Sequence, residues 1–239
     1  MSFDFMTLPE TTLHYRLLLG DPAQPTFIFE NGYGQDLSTW HPILDQIEAL
    51  GTILMYDRTN TGGSKPHDSE TSQQSVNRLH RLICTLSLKP PFILVGHSYG
   101  GTLIRQFASQ YPNEVSGLLL IDATPESYIQ RFLPVMPKSF QSKYQNQFTL
   151  ECSYVDFKES IESTNTDVTY AFPLIVLSAD KKEHYFREAQ LLWHELQRKT
   201  ARQSLRGSFI SVSDSGHFIH HDVPDKVIHA LQSLVSECS

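Results

Sequence analysis

Short apolar runs alternate with amphipathic stretches along this chain, a pattern that predicts a parallel sheet joined by crossover helices. Residues 13–19 alternate weakly between apolar and polar and predict an early antiparallel strand. Residues 26–30 form a short apolar run that ends in Asn31-Gly32-Tyr33-Gly34, hence a strand followed by a turn. Apolar residues recur at helical spacing over 40–50. A strand follows at 53–56, then the turn-rich stretch 57–64 and a helix over 75–86. Residues 92–95 predict a strand that runs into Gly96-His97-Ser98-Tyr99-Gly100-Gly101, with a helix from there to Gln110, ahead of Pro112. Further strands are predicted at 117–121, 174–177 and 209–212, and further helices at 183–204 and 224–236. Between the strands at 117–121 and 174–177, residues 125–170 are polar, aromatic-rich and irregular, and Pro134 and Pro137 break them early. They predict a short helical cap inserted above the carboxyl edge of the sheet.

The 239 residues, with 40% hydrophobic content, fourteen Phe and ten Tyr, fit one domain spanning 1–239 with an insertion at about 125–170. A net charge of -7 speaks against a nucleic-acid partner, which needs a basic surface. Three cysteines, Cys84, Cys152 and Cys238, cannot all pair with one another, and Cys84 sits in an apolar stretch that suggests a buried thiol. Residues 1–9 lack a basic leader, and no run reaches the roughly 18 apolar residues of a membrane span. The expectation is a soluble cytoplasmic protein without a membrane span; its oligomeric state is not legible.

Gly96–Gly100 reads G-x-S-x-G, the turn that presents a nucleophilic serine when it joins a strand to a helix. The pentapeptide alone is a weak signal. Its placement, between an apolar strand and a helical pattern, makes Ser98 the candidate nucleophile. A serine hydroxyl needs a base at neutral pH. His217 is the best placed of eleven histidines, in the loop Ser213-Asp214-Ser215-Gly216-His217 after the last strand. His97 is expected to point under the turn, away from substrate, and His220 and His221 to be exposed or to lie behind the site. Two acids compete to orient His217: Asp122, at the end of the strand at 117–121, and Asp180, after the strand at 174–177. Strand logic alone leaves both open, and Asp214 reads as a turn-former. The backbone N–H groups of Tyr99 and Tyr33 are the candidate oxyanion donors. No metal-ligand spacing or phosphate-binding glycine loop occurs, so no cofactor or metal is implied.

Four segments together resemble the α/β-hydrolase superfamily, and within it a large group of small bacterial serine hydrolases and esterases. They are Phe27–Gly34 with Trp40; Tyr56-Asp57-Arg58 with Gly62-Gly63-Ser64; Phe92–Gly101 continuing to Tyr111-Pro112 and Leu118–Asp122; and Trp193, Leu196-Gln197 and Ser204 with Ser215-Gly216-His217, Pro224 and Val227. The resemblance implies the α/β-hydrolase fold, a mostly parallel central sheet with helices on both faces. It also favours Asp122 as the acid. The commoner acid slot, three residues past a strand-ending glycine, falls here on Lys181, with Ser178 in the glycine's place. Asn31-Gly32 replaces the group's His-Gly pair, which leaves backbone donation intact.

The activity this implies is cleavage of a small or medium carboxylic ester through Ser98, Asp122 and His217. An aminopeptidase, lactonase, thioesterase or cofactor-free haloperoxidase-like activity would use the same triad. A non-catalytic ligand receptor is the reading from another class. A haloalkane dehalogenase would need a carboxylate where Ser98 stands. Eight aromatic residues punctuate the insertion, from Tyr128 to Tyr170. Most are expected only to pack it onto the body, with the remainder facing substrate.

Overall fold

A computed structural model describes residues 4–164 and 167–238, so residues 165 and 166 of the expected insertion, and residues 1–3 and 239, lie outside the described residues. Eight strands form one sheet: β1 (Asp4–Thr7), β2 (Thr12–Leu18), β3 (Thr26–Glu30), β4 (Thr52–Tyr56), β5 (Phe92–His97), β6 (Val115–Ile121), β7 (Leu174–Ala179) and β8 (Gly207–Val212). Their order is β1-β2-β4-β3-β5-β6-β7-β8. The first two are antiparallel to their neighbours, and β4 through β8 run parallel.

The sheet's central strands are mostly apolar, without a polar face, because both faces are covered. Alternate residues divide between two cores. Phe27, Phe29, Ile93, Val95, Leu119 and Ile121 point to the face carrying α1 (His41–Ile47) and α8 (Pro224–Cys238). Ile28, Leu94, Leu118 and Leu120 point to the other, packed with α2 (Ser72–Thr85), α3 (Tyr99–Gln110) and α6 (Arg187–Ala201). Between β6 and β7 lie a π-helical turn at Tyr128–Phe132 and two short helices, α4 (Lys138–Asn146) and α5 (Tyr154–Glu162). A last short helix, α7 (Ile219–Asp222), precedes α8.

β3 leads to β4 on one side, whereas β5 pairs on the other. The strand order therefore reverses beside β3, and a crevice opens at its carboxyl end, the usual place for a ligand in such sheets.

One strand was not anticipated and two readings of the sequence need correction. β1 carried no usable signal; it is four residues long, largely exposed, and gains its partners only as the outer arm of a hairpin with β2. Cys84 is exposed, because on α2 the buried stripe runs through Val76, Leu79, Leu82 and Ile83 and leaves the next position outside. The predicted helix at 183–204 begins only at Arg187. The preceding residues form a loop that sends Lys182 to Asp122, where the two side chains pair at 2.6 Å.

Candidate active site

The turn after β5 is as tight as its glycines suggest. Ser98 holds φ 52° and ψ -118°, a conformation a non-glycine residue adopts only when its surroundings impose it. A Cβ on Gly100 would lie 2.3 Å from the Glu30 carbonyl oxygen, and one on Gly96 would lie 2.8 Å from the Gly100 backbone. The serine is pinned from both sides: its N–H donates to Ile121 O at 3.1 Å, and its carbonyl accepts from the N–H of Gly101 and Thr124.

The same register places the acid. His97 pairs with Ile121 across β5 and β6, so Ser98 and Asp122 step off adjacent strands side by side. Asp122 also has a positive φ, 43°. Its side chain is fully buried, and four groups converge on it. Oδ2 lies 2.6 Å from His217 Nδ1 and 2.6 Å from Lys182 Nζ. Oδ1 accepts from Trp193 Nε1 at 2.9 Å and from the Ala179 N–H at 3.1 Å. Burial pushes the Asp122 carboxyl up, but the Lys182 ammonium and the His217 hydrogen bond outweigh it and hold it below its ordinary value. Burial pulls Lys182 itself down to about 8 against the attraction of Asp122. Its ammonium also sits 3.2 Å from the centroid of the Trp193 ring.

Asp180 faces elsewhere. It pairs with His194 Nε2 at 2.7 Å and accepts from Ser211 Oγ at 2.6 Å. Asp214 is exposed and meets Lys181 at 3.3 Å. The structure thus brings Asp122, and not Asp180, to His217. Sequence reasoning missed Lys182 and Trp193. Trp193 was noticed only as part of the resemblance, and a lone lysine in a polar loop carries no signal of burial.

Behind His217 lie three further histidines, two of them, His97 and His220, buried. His97 is buried as expected beneath the turn, yet it also borders the cavity. Its Nε2 meets the His217 carbonyl oxygen at 3.0 Å, its Nδ1 meets Gln35 Oε1 at 2.8 Å, and its ring centroid is 4.6 Å from that of His217. Burial, then the neighbouring imidazoles, hold His97 well below its ordinary value. His220 lies behind the site, the second of the two places expected for it: it is fully buried, 2.9 Å from Thr39 Oγ1, and burial brings it to about 3. His221 reaches Thr39 O at 2.8 Å. Through Thr39 the pair fastens α7, and with it the His217 loop, to the turn just before α1.

On the opposite side of Ser98, the turn after β3 presents Tyr33. Neither the Tyr33 nor the Tyr99 backbone N–H has an acceptor among the described residues. Asn31 is buried and serves the framework: its amide donates to Tyr56 O at 2.9 Å and its oxygen accepts from Trp40 Nε1 at 2.6 Å.

Ser98, His217, Tyr33 and Tyr99 all line one cavity of about 930 Å³. Its walls also include Tyr128, Phe140, Tyr144, Phe148 and Phe157, so five of the eight aromatic residues of the insertion border it, more than expected. In this structure Ser98 Oγ makes no hydrogen bond to His217, a looseness common before substrate tightens such a site. Among the described residues no cluster of three or more His, Cys, Asp or Glu side chains could hold a metal. No helix among them is long and apolar enough to cross a membrane.

With this geometry in hand, comparison with known proteins defines the class. The family model for the alpha/beta hydrolase fold matches residues 25–183. The chain belongs to the α/β-hydrolase fold family and is a hydrolase. It is 28% identical to the uncharacterized protein YqjL of Bacillus subtilis, a match covering 85% of this chain and 80% of that one. It is 32% identical to the mouse sn-1-specific diacylglycerol lipase ABHD11 over 56% of this chain, although it spans only 44% of the lipase. Among solved structures it superposes on mouse alpha/beta hydrolase domain-containing protein 10 with a TM-score of 0.77 at 19% identity, covering 100% of both chains.

Proposed function

We propose that this protein is a serine hydrolase that cleaves small or medium carboxylic esters through an acyl-enzyme intermediate. The observation that carries the reading is the 2.6 Å contact between His217 Nδ1 and the buried Asp122 carboxylate, in a loop that lines one cavity with the strained Ser98. Asp122 accepts the Nδ1 hydrogen and so leaves Nε2 unprotonated and free to act as a base. His217 Nε2 takes the Ser98 hydroxyl proton as Oγ attacks the ester carbonyl carbon. The carbonyl oxygen becomes an oxyanion held by the Tyr33 and Tyr99 N–H groups. The imidazolium then gives its proton to the leaving alkoxide, and the C–O bond breaks. Water, activated by the same histidine, releases the acid. The mouse relative's lipase name supports an acyl ester as the bond cleaved. The cavity volume lies within the usual range for small-molecule sites.

The deciding experiment is a Ser98→Ala variant assayed on a panel of p-nitrophenyl esters, amides and lactones. The wild type should turn over the esters best, and the variant should lose several orders of magnitude of turnover while keeping its fold. Near-wild-type turnover by the variant defeats the mechanism. A parent enzyme that prefers amides or lactones moves the substrate class and leaves the mechanism standing.

A further inference from the structure

The insertion does more than roof the cavity. The segment Leu150-Glu151-Cys152, between α4 and α5, reaches down to the turn that carries Tyr33. The Tyr33 hydroxyl accepts from the Leu150 N–H at 2.8 Å and donates to Cys152 O at 3.1 Å. Glu151 is buried and inserts between the turn and Arg58. One of its oxygens accepts from the Gly34 N–H at 2.5 Å and from Arg58 Nη2 at 2.8 Å; the other pairs with Arg58 Nε. Arg58 in turn donates to Asn31 O at 2.7 Å and to Gly32 O at 2.8 Å, with Glu30 on its far side.

We infer that Glu151 is a positioning residue for the oxyanion site, acting through Arg58 and the backbone of the Tyr33 turn. The inference rests on the serine hydrolase reading above. Its physical core is peptide planarity. The carbonyl of Gly32 and the N–H of Tyr33 belong to one trans peptide unit and point in opposite directions. A guanidinium fixed on Gly32 O therefore fixes the direction of the Tyr33 N–H and, by polarising the unit, strengthens it as a donor. The next unit, between Tyr33 and Gly34, is held by Glu151 directly through the Gly34 N–H. Both peptide units flanking Tyr33 thus depend on one carboxylate supplied by the insertion. Burial opposes the charge on Arg58, but Glu151 and Glu30 outweigh it and hold the guanidinium firmly protonated. A negative charge near a developing oxyanion would be harmful by itself. Here both Glu151 oxygens are taken up by Arg58, while burial raises the other carboxyl on Arg58, Glu30, above its ordinary value and favours its neutral form, so the effect of Glu151 on the turn is geometric.

The test uses Glu151→Gln and Glu151→Ala in the full chain, assayed on p-nitrophenyl butyrate, with inhibition by phenylboronic acid as a tetrahedral mimic. The amide oxygen still accepts from Gly34 and Arg58 Nη2, but the charge and the contact with Arg58 Nε are lost, and alanine loses all three contacts. Misaligning an oxyanion donor costs up to about 100-fold in kcat, so we expect about 10-fold loss for Gln and about 100-fold for Ala. KM should stay within about 3-fold, and boronate affinity should fall in step with kcat. A merely structural role would instead lower the folded fraction and leave kcat per folded enzyme, and boronate affinity, unchanged. That result overturns the inference. Should Glu151→Ala fail to fold, Tyr33→Phe removes only the hydroxyl that Leu150 and Cys152 hold. Wild-type kcat and boronate affinity in both Tyr33→Phe and Glu151→Gln would equally overturn it. Ser98→Ala in the same assay separates the two layers: turnover retained there defeats the serine hydrolase reading and this inference with it. An inert Ser98→Ala beside wild-type-like Glu151 variants defeats the positioning role alone.

Discussion

Two buried charge centres flank Ser98, and they are built with opposite stoichiometry. At Asp122 one carboxylate receives four donors: His217, Lys182, Trp193 and the Ala179 amide. At Arg58 one guanidinium serves two carboxylates and two backbone carbonyls. The difference matches what each centre has to do in the proposed reaction. Charge on His217 comes and goes during turnover, so its partner must be a carboxylate that stays ionised throughout. An excess of donors achieves that. The Tyr33 turn changes no charge of its own and needs only to hold still, so its anchor is a cation that is never deprotonated and is saturated with acceptors. The centres also differ in origin. The first is assembled at the carboxyl ends of neighbouring strands, with help from α6 and the loop before it. The second is completed only by Glu151 from the insertion.

The largest expected effect separates the two candidate acids. Asp122→Asn keeps the shape but removes the charge and lets His217 adopt the wrong tautomer, a loss of about 10⁴-fold in kcat. Asp180→Asn should change kcat by no more than about 3-fold, since Asp180 is engaged with His194 and Ser211. Stopped or steady-state assays on one p-nitrophenyl ester rank the two variants. Reversed severities would reassign the acid and leave the fold untouched.

The asymmetry also explains what the sequence could and could not say. The Asp122 centre was legible in part because strand ends are legible: an apolar run predicts where a strand stops, and parallel neighbours put the next residues side by side, but that logic offered Asp180 equally and only the resemblance favoured Asp122. Ser98, His217 and Asp122 each follow such a run. The Tyr33 turn was legible for the same reason, after β3. Lys182 and Glu151 were not, because each lies in a polar stretch with no period, and their burial comes from tertiary contacts alone. The aromatic residues of the insertion fall between these cases. Composition announced them, but which of them border the cavity depends on how two short helices sit over the sheet. Edge strand β1 shows the limit from the other side, since its pairing is settled by a hairpin and not by its own apolar pattern.

A smaller effect tests how the donor-rich carboxylate works. Below about pH 8 Lys182 carries its charge and competes with the imidazolium for the same Asp122 oxygen. As pH rises through about 8 the ammonium loses its proton and the competition ends. A neutral isostere, Lys182→Met, resembles the deprotonated lysine. Its kcat/KM should therefore approach the wild-type value at pH 9 and fall short of it by about 3- to 10-fold at pH 6, where the charge matters most. The acid limb of its profile should lie at higher pH than the wild type's. A ratio between the two enzymes that does not change from pH 6 to 9 would show that Lys182 acts through packing on Trp193 and not through its charge.

The effect smallest on total turnover concerns selectivity and contrasts the insertion's two contributions. Glu151 touches the Tyr33 turn, whereas Phe140 and Phe148 border the cavity and touch none of the reacting groups' hydrogen bonds. If those rings set the length of acyl chain that fits, Phe140→Ala and Phe148→Ala should move the optimum of a p-nitrophenyl ester series toward longer chains. A methylene that fits or fails in an apolar pocket changes kcat/KM by about 10-fold or more, so the shift is measurable even when total turnover is not much altered. Reaction of Ser98 with a small fluorophosphonate, which does not reach the rings, should keep its rate within about 3-fold. Phe148 also packs edge-on against Tyr33, with ring centroids 4.8 Å apart, and against Phe157 at 4.2 Å, so its variant carries the greater risk to the turn. Phe140 stacks instead with Tyr144 at 6.1 Å and is the cleaner probe. A Phe140→Ala enzyme with the parent's chain-length profile and the parent's phosphonate rate would exclude that ring from substrate selection. A profile unchanged in both variants would leave the insertion with a single proposed task, that of holding the Tyr33 turn.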